Sequence, residues 1–262
     1  MMNQNKPLIL ITNDDGYLAK GLQKLIDLMR PLGEVIVVST DKVMSAKGHS
    51  VTTTPTLTAK LVEVGPDYKK YVCNGTPVDC VKIGYQKLLD RLPDIVVSGI
   101  NHGTNASTNV IYSGTMAAAI EASMDGIKAV GFSLDSYDLD ADFDHLDEYI
   151  LAITKNILEE GLPEGVCLNV NFPIRGEEPI KGVKICRQAK GKWIEKFDEI
   201  QSEKDDTFFN WSGEFVCEDD GDDTDFMATK NNYVSIVPTH FDLTATQYLD
   251  QMSRFEHIMD KK

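Results

Sequence analysis

Long apolar runs are missing from this sequence. The first hydrophobic stretch, Leu8 to Ile11, is too brief for a signal-peptide core or a membrane span, so no membrane association and a cytoplasmic location are expected. Cysteine is sparse: the five residues Cys73, Cys80, Cys167, Cys186 and Cys217 form an odd set with no Cys-x-x-Cys pair, and they read as reduced thiols. Basic charge is short as well. Against 41 Asp and Glu stand 26 Lys and Arg, a formal net charge of -15, which excludes a broad electrostatic grip on a nucleic-acid polymer. Such a surface also repels a small phosphorylated substrate unless a cation or aimed backbone amides neutralise the phosphate locally, so a bound metal is the economical solution. No Gly-x-Gly-x-x-Gly or Gly-Lys-Ser/Thr follows the first apolar run, which removes the usual dinucleotide and P-loop sites. There are no internal repeats.

What is present is an ordinary globular composition, 42% hydrophobic and 26% charged over 262 residues, enough chain to bury a substantial core. Leu8 to Thr12 reads as a strand, followed by Leu22, Leu25, Ile26 and Met29 at helical spacing and a second strand from Val35 to Ser39. Continuous Val- and Ile-rich runs flanking a helix suit parallel strands buried on both faces. Further strands are expected at Tyr71 to Cys73, Asp94 to Ser98 and Ala129 to Leu134, with helices over Pro77 to Leu89, Gly114 to Met124 and His145 to Glu159. The expected fold is α/β, a doubly wound, mostly parallel sheet. Leu168 to Pro173 and Val183 to Arg187 add strands; beyond them periodicity weakens through Lys190 to Phe226, which with its acidic run Glu218 to Asp223 reads as a solvated hairpin or loop region. A strand at Tyr233 to Val237 and a short helix at Thr244 to Met252 close the chain. The expected division is a catalytic core over 1–185 and a C-terminal extension over 186–262, with a hairpin and a short helix, that packs on the core or on a second subunit.

The sharpest chemical signal is Asn13-Asp14-Asp15-Gly16 at the end of the first strand, where ligand sites of open α/β sheets form. Adjacent carboxylates repel, and a hard divalent cation bound through oxygen would offset that repulsion; the alternative is a helix cap and a tight turn. Ser98 to Asn105 follows another strand, with glycines for close backbone approach and Asn101 and Asn105 as neutral oxygen or amide ligands. Taken alone it reads rather as a polar turn between strand and helix. Tyr112-Ser113-Gly114-Thr115 opens a helix whose free N–H groups suit an anion, or simply caps it. Gly75 to Cys80 opens a helix in the same way. His49 and His102 lie in these segments and are candidate donors to phosphate, although a lone histidine is more often structural. Cys80 has no basic neighbour in sequence to activate it and reads as a buried thiol.

In order along the chain, Ile-Thr-Asn-Asp-Asp-Gly, Gly-Thr-Pro-x-Asp-Cys, Ser-Gly-Ile-Asn-x-Gly-x-Asn, Tyr-Ser-Gly-Thr, Leu-Asn-Val-Asn-Phe-Pro and Asp-Thr-Asp resemble the survival protein E (SurE) nucleotidase family. The resemblance implies one divalent metal per subunit, Mg²⁺ or Mn²⁺, held by Asp14, Asp15, Ser45 and Asn101, with Asp14, Asp15 and Asn101 carrying catalysis. It also implies phosphate contacts near Asn105, Ser113, Gly114 and Thr115, a Rossmann-like core, and a homodimer or homotetramer with exchanged C-terminal segments. The chain departs from the family pattern at Ser39-Thr40, where Ala-Pro is usual, at Met44, where Arg is common, and at Ala106-Ser107-Thr108-Asn109. The metal quartet survives these departures.

The expected activity is hydrolysis of nucleoside monophosphates, at the 5′ and also the 3′ position, and of short polyphosphate, by attack of a metal-activated water on phosphorus. A route through an aspartyl-phosphate on Asp14 or Asp15 is the enzymatic alternative. An acidic pair after the first strand also resembles a receiver-type phospho-acceptor, whose fold needs only the first half of such a chain. A nucleotide-binding protein without turnover is the remaining reading.

Overall fold

The computed structural model describes residues 6–54, 56–138, 140–203, 206–256 and 258. Residues 1–5, 55 and 139 of the expected core, and 204, 205, 257 and 259–262 of the expected extension, lie outside them. In chain order the elements are β1 (Leu8–Thr12), α1 (Lys20–Met29), β2 (Glu34–Thr40), β3 (Ala59–Gly65), β4 (Tyr68–Cys73), α2 (Pro77–Ile83), β5 (Ile95–His102), α3 (Asn109–Tyr112), α4 (Gly114–Met124), β6 (Ala129–Leu134), α5 (Asp147–Glu160), β7 (Val166–Phe172), β8 (Val183–Ile185), β9 (Gly191–Glu203), β10 (Asp206–Cys217), α6 (Asp225–Lys230), β11 (Val234–His240) and α7 (Leu249–Met252).

Nine strands form one sheet in the order β3-β4-β2-β1-β5-β6-β7-β11-β8. From β4 to β7 every neighbour is parallel, while β3 and β11 run antiparallel to β4 and β7. The chain winds outward from β1 through β2 to β4, then returns to the other flank of β1 with β5. The strand order therefore reverses between β1 and β5, and that reversal opens a crevice at their carboxyl ends. Side chains alternate across β1: Ile9 and Ile11 join Leu22, Leu25 and Ile150 on one face, while Leu8 and Leu10 join Val81, Met116 and Ala118 on the other. Both faces are dry, which is why the inner strands read as unbroken apolar runs.

Several element boundaries differ from the sequence expectation. The strand expected to stop at Ser98 continues to His102, with its register on β6 broken between Ser98 and Asn101. Gly99 makes this possible: its φ is +126°, and a Cβ there would meet the Phe132 carbonyl oxygen at 2.4 Å. The helix expected over Pro77 to Leu89 is α-helical only to Ile83 and widens to a π-turn over Gly84–Leu88. The helix expected from His145 opens as a 3₁₀ turn, Asp144–Leu146, before α5. Strand β4 starts at Tyr68 and is paired by β3, an edge strand that sequence periodicity missed because solvent reaches both its faces. The weakly periodic stretch after Lys190 is a long antiparallel hairpin, β9–β10, and the acidic run follows it. Strand β11 lies hydrogen-bonded between β7 and β8, so the main sheet crosses the expected 185/186 division.

Candidate active site

The crevice holds a cavity of about 290 Å³ lined by Asp14, Ser45, Asn101, Asn105, Asn109 and Ser113, with Tyr112, Tyr137, Trp193 and Trp211 as aromatic walls. Its floor is built from the turn after β1. Asn13 Nδ2 donates to the Gly16 carbonyl (2.9 Å) and Ser39 Oγ donates to Asn13 Oδ1 (2.6 Å), both within the protein interior. The serine that departs from the family pattern at 39 thus braces the Asp-Asp turn. Asp14 is buried; Thr115 Oγ1 donates to its Oδ1 at 2.6 Å. Burial first, and the neighbouring Asp15 charge second, push the Asp14 carboxyl up to about 6, against the lowering hydrogen bonds from Thr115 and the Gly114 backbone. Gly114 allows this contact, since a Cβ there would lie 2.8 Å from Asp14 Cβ and Oδ2. Burial also raises Asp15, whose Oδ2 accepts the His102 backbone N–H at 3.2 Å.

Of the four residues expected to hold a metal, Asp14, Ser45 and Asn101 line the cavity together, and Asp15 stands beside Asp14 without lining it. Asn101 Nδ2 donates to the Gly103 carbonyl at 2.7 Å, which fixes the amide with its oxygen as the unspent ligand atom. The Ser45 segment is tied down by the Met44 N–H donating to the Asp14 carbonyl at 2.7 Å. Among the described residues no group of three His, Cys, Asp or Glu side chains is placed to hold a metal; the candidate donors lining the cavity are the Asp14 carboxylate and the neutral oxygens of Ser45 and Asn101, with the Asp15 carboxylate beside them. That donor chemistry, hard and all-oxygen around a carboxylate whose pKa is raised by burial and by the adjacent Asp15 charge, fits Mg²⁺ or Mn²⁺.

The expected phosphate residues divide. Ser113 caps α4 by accepting the Met116 N–H at 3.0 Å; of the first-turn amides beside the cavity, that of Gly114 faces the Asp14 carboxyl and that of Thr115 is left for an anion. The Thr115 hydroxyl is fully buried and committed to Asp14, so only its backbone can meet an anion. Asn105 is held by a lattice of amides: its N–H donates to Asn171 Oδ1 (2.7 Å), its Nδ2 to Ser133 Oγ (2.7 Å), and its carbonyl accepts from Asn169 Nδ2 (2.9 Å). The two candidate histidines differ: His102 lines the cavity and His49 does not. His49 pairs with buried Glu121 at 2.7 Å, and His102 packs edge-on against Phe143, burial lowering its pKa toward the neutral ring. Cys80 is a buried thiol with its pKa pushed well up by burial.

Sequence reasoning missed the wall opposite this floor. The chain's two tryptophans both come from the β9–β10 hairpin, and Trp193 Nε1 donates to Asn109 Oδ1 at 2.9 Å. The hairpin root is laced to the 105–109 segment: Ser107 Oγ donates to the Ala189 carbonyl (2.9 Å) and accepts the Gly191 N–H (2.8 Å), while Thr108 Oγ1 donates to the Gly191 carbonyl (2.8 Å). Beneath them Asp225, fully buried, accepts the N–H groups of Ser107 (2.8 Å), Ala189 (2.9 Å) and Phe226 (2.8 Å). The Asp-Thr-Asp motif was the available signal; its partners, about 120 and 40 positions upstream, have no sequence periodicity to reveal them.

Residues 9–195 match the family described as "Survival protein SurE". Among curated proteins, the 5′-nucleotidase SurE of Christiangramia forsetii is 51% identical over 96% of this chain and 98% of its own length. That of Flavobacterium psychrophilum is 49% identical over 96% and 98%. The crystal structure of the SurE protein from Aquifex aeolicus superposes with a TM-score of 0.81 at 35% identity, covering 95% of this chain and all of that one. With matched motifs, a matched fold and near-complete coverage in both directions, the chain belongs to the SurE family.

Proposed function

We propose that the protein is a divalent-metal-dependent 5′-nucleotidase, a phosphoric monoester hydrolase that releases inorganic phosphate from nucleoside monophosphates. The observation that carries this reading is the convergence of Asp14, Ser45 and Asn101 on one cavity whose opposite wall is aromatic. The floor suits a phosphate neutralised by a cation; tyrosine and tryptophan faces suit a stacked base. The names of the Christiangramia and Flavobacterium relatives support it.

In this reading Asp14, Asp15, Ser45 and Asn101 hold one Mg²⁺ or Mn²⁺. When bound, that cation supplies charge neutralisation of the phosphate and acidification of a water. Thr115 and the Gly114 backbone keep the Asp14 carboxylate oriented and ionisable. The Thr115 amide in the first turn of α4 and the Asn105 side chain orient the phosphate and take up charge on its oxygens as the ester breaks. Aromatic walls exclude water from the far side of the nucleotide. Because the phosphate end of the cavity reads the phosphoryl group and not its attachment, 3′-nucleotides and short polyphosphate belong to the same proposal. The five cysteines, all free, suit a reducing cytoplasm, and no helix among the described residues is long and apolar enough to cross a membrane.

The subunit is proposed to act as a homodimer or homotetramer with exchanged C-terminal segments. Exposed Phe197, Ile200, Phe208 and Phe209 on the hairpin, and Leu243, Leu249 and Phe255 in the tail, support this, since apolar area of that extent is ordinarily covered. Light scattering that finds a monomer at micromolar concentration sinks that part. For the activity, phosphate release is measured from 5′ and 3′ nucleoside monophosphates with Mg²⁺, Mn²⁺ or EDTA. Metal-dependent turnover lost in Asp14→Asn supports the reading, and absence of turnover with every metal and nucleotide ends it.

A further inference from the structure

Glu195 lines the active-site cavity from β9, the hairpin strand that also carries Trp193. Residues two apart on a strand share a face, so Glu195 stands on the indole side, about 7 Å farther than Trp193 from the hairpin root. Its cross-strand partner is Gly213, which brings no side chain, while Phe215 lies opposite Trp193 and Trp211 opposite Phe197. The two indoles converge over Gly213: their ring centroids are 6.2 Å apart, and a Cβ on Gly213 would lie 3.4 Å from Trp193 Cε3 and 3.6 Å from Trp211 Cζ2. Glu195 therefore faces, across a single strand spacing, the point where the two rings meet.

That carboxylate has no cation beside it in the cavity. Among the described residues no Lys or Arg lines the space, and neighbouring Lys196, on the other face of the hairpin, pairs with Asp198 at 2.8 Å. The other carboxylate of the lining, Asp14, belongs to the floor. An ionised carboxylate only accepts hydrogen bonds, so beside rings that stack a base it selects an edge that donates. Guanine presents two adjacent donors, N1–H and the 2-amino group, spaced for two carboxylate oxygens. Adenine sets one donor, its 6-amino group, beside the N1 lone pair, which a carboxylate repels.

We propose that Glu195 is the specificity-determining residue for the base: it accepts the N1–H and 2-amino groups of a guanine stacked on Trp193 and Trp211, and guanosine monophosphate is the preferred nucleotide. This rests on the phosphomonoester reading above and names the substrate of that same site.

The experiment compares hydrolysis of GMP, dGMP, IMP and AMP with Mg²⁺ by the wild type and by Glu195→Gln, an exposed position where the change leaves the fold intact. Because the chain's two tryptophans both line the cavity, quenching of their fluorescence by GMP or AMP in EDTA reports base binding without turnover. For the wild type, kcat/KM for GMP is expected to exceed that for AMP by about tenfold or more, with dGMP equal to GMP and IMP, which keeps only N1–H, between them. Glu195→Gln exchanges two acceptors for an acceptor and a donor, the complement of adenine. GMP hydrolysis should then fall by about tenfold while AMP hydrolysis holds or improves. An equal change for every nucleotide would make Glu195 a simple charge at the cavity mouth, and a change that spares dGMP would assign it to the sugar hydroxyls; either overturns the proposal. So does a wild type that hydrolyses AMP as well as GMP, and that result leaves the nucleotidase reading standing. Tighter quenching by GMP than by AMP, with no phosphate released from either, ends the nucleotidase reading and leaves base recognition standing. GMP that neither quenches nor is hydrolysed overturns both.

Discussion

Thr115 Oγ1 donates a 2.6 Å hydrogen bond to Asp14 Oδ1, joining the first turn of α4 to the turn after β1 across 101 residues of sequence. Both groups are buried. The bond holds the one carboxylate of the cavity floor in a single orientation, and it opposes the burial and the Asp15 charge that push the Asp14 carboxyl up to about 6.

Thr115→Val keeps the shape and removes that bond. Asp14 should then be harder to ionise and freer to turn, so the Mg²⁺ or Mn²⁺ concentration for half-maximal phosphate release is expected to rise by about tenfold, corresponding to about 1.4 kcal/mol. A metal titration of activity checks this; an unchanged midpoint would show that Thr115 has no part in orienting the carboxylate.

The raised Asp14 pKa has a signed consequence for the metal-free protein. A carboxyl whose folded pKa lies above its unfolded 3.8 favours the folded state while protonated, and that advantage is lost as pH rises through about 6. In EDTA, stability should therefore fall between about pH 4 and pH 7, and Asp14→Asn should be the more stable protein at pH 7.5 by roughly 1–3 kcal/mol. Urea melts at the two pH values test it, and equal stability of the two proteins at pH 7.5 contradicts it.

His49 ties the segment carrying Ser45 to helix α4: its Nε2 lies 2.7 Å from buried Glu121, which also pairs with Lys82. His49→Ala should loosen that segment and raise the metal requirement several-fold, while Lys82→Ala, which leaves the His49 contact in place, should not. Activity against metal concentration separates the two variants.

Asp225 accepts three backbone N–H groups in a fully buried position. Asp225→Ala is expected to cost about 3 kcal/mol or more, because three interior donors lose their acceptor. The damage should centre on the hairpin root and the 105–109 segment, so amide exchange at Ser107 and Gly191 should accelerate more than exchange in β1. Uniform acceleration would place the role of Asp225 elsewhere.

The sequence by itself determined a great deal here. The unbroken apolar runs at Leu8 to Thr12 and Val35 to Ser39, with helical spacing between them, are read from burial on both sheet faces, and that burial leaves its period in the chain. Asn13 to Gly16 and Ser113 to Thr115 were legible because turns and helix starts need particular residues within a few positions of one another. Tertiary structure alone decided what depends on pairing across long separations. Nothing local announces that β11 inserts between β7 and β8, that Ser98 to His102 continues as a bulged strand, or that Thr115 spends its hydroxyl on Asp14. The tryptophans belong to the same class: Trp193 and Trp211 lie on a weakly periodic, largely exposed hairpin, and only its docking on the 105–109 segment, through Ser107, Asn109 and Asp225, brings them over the cavity. Local residue preference writes elements and turns into a sequence, whereas a site wall is made by hydrogen bonds between segments that meet only when the sheet closes.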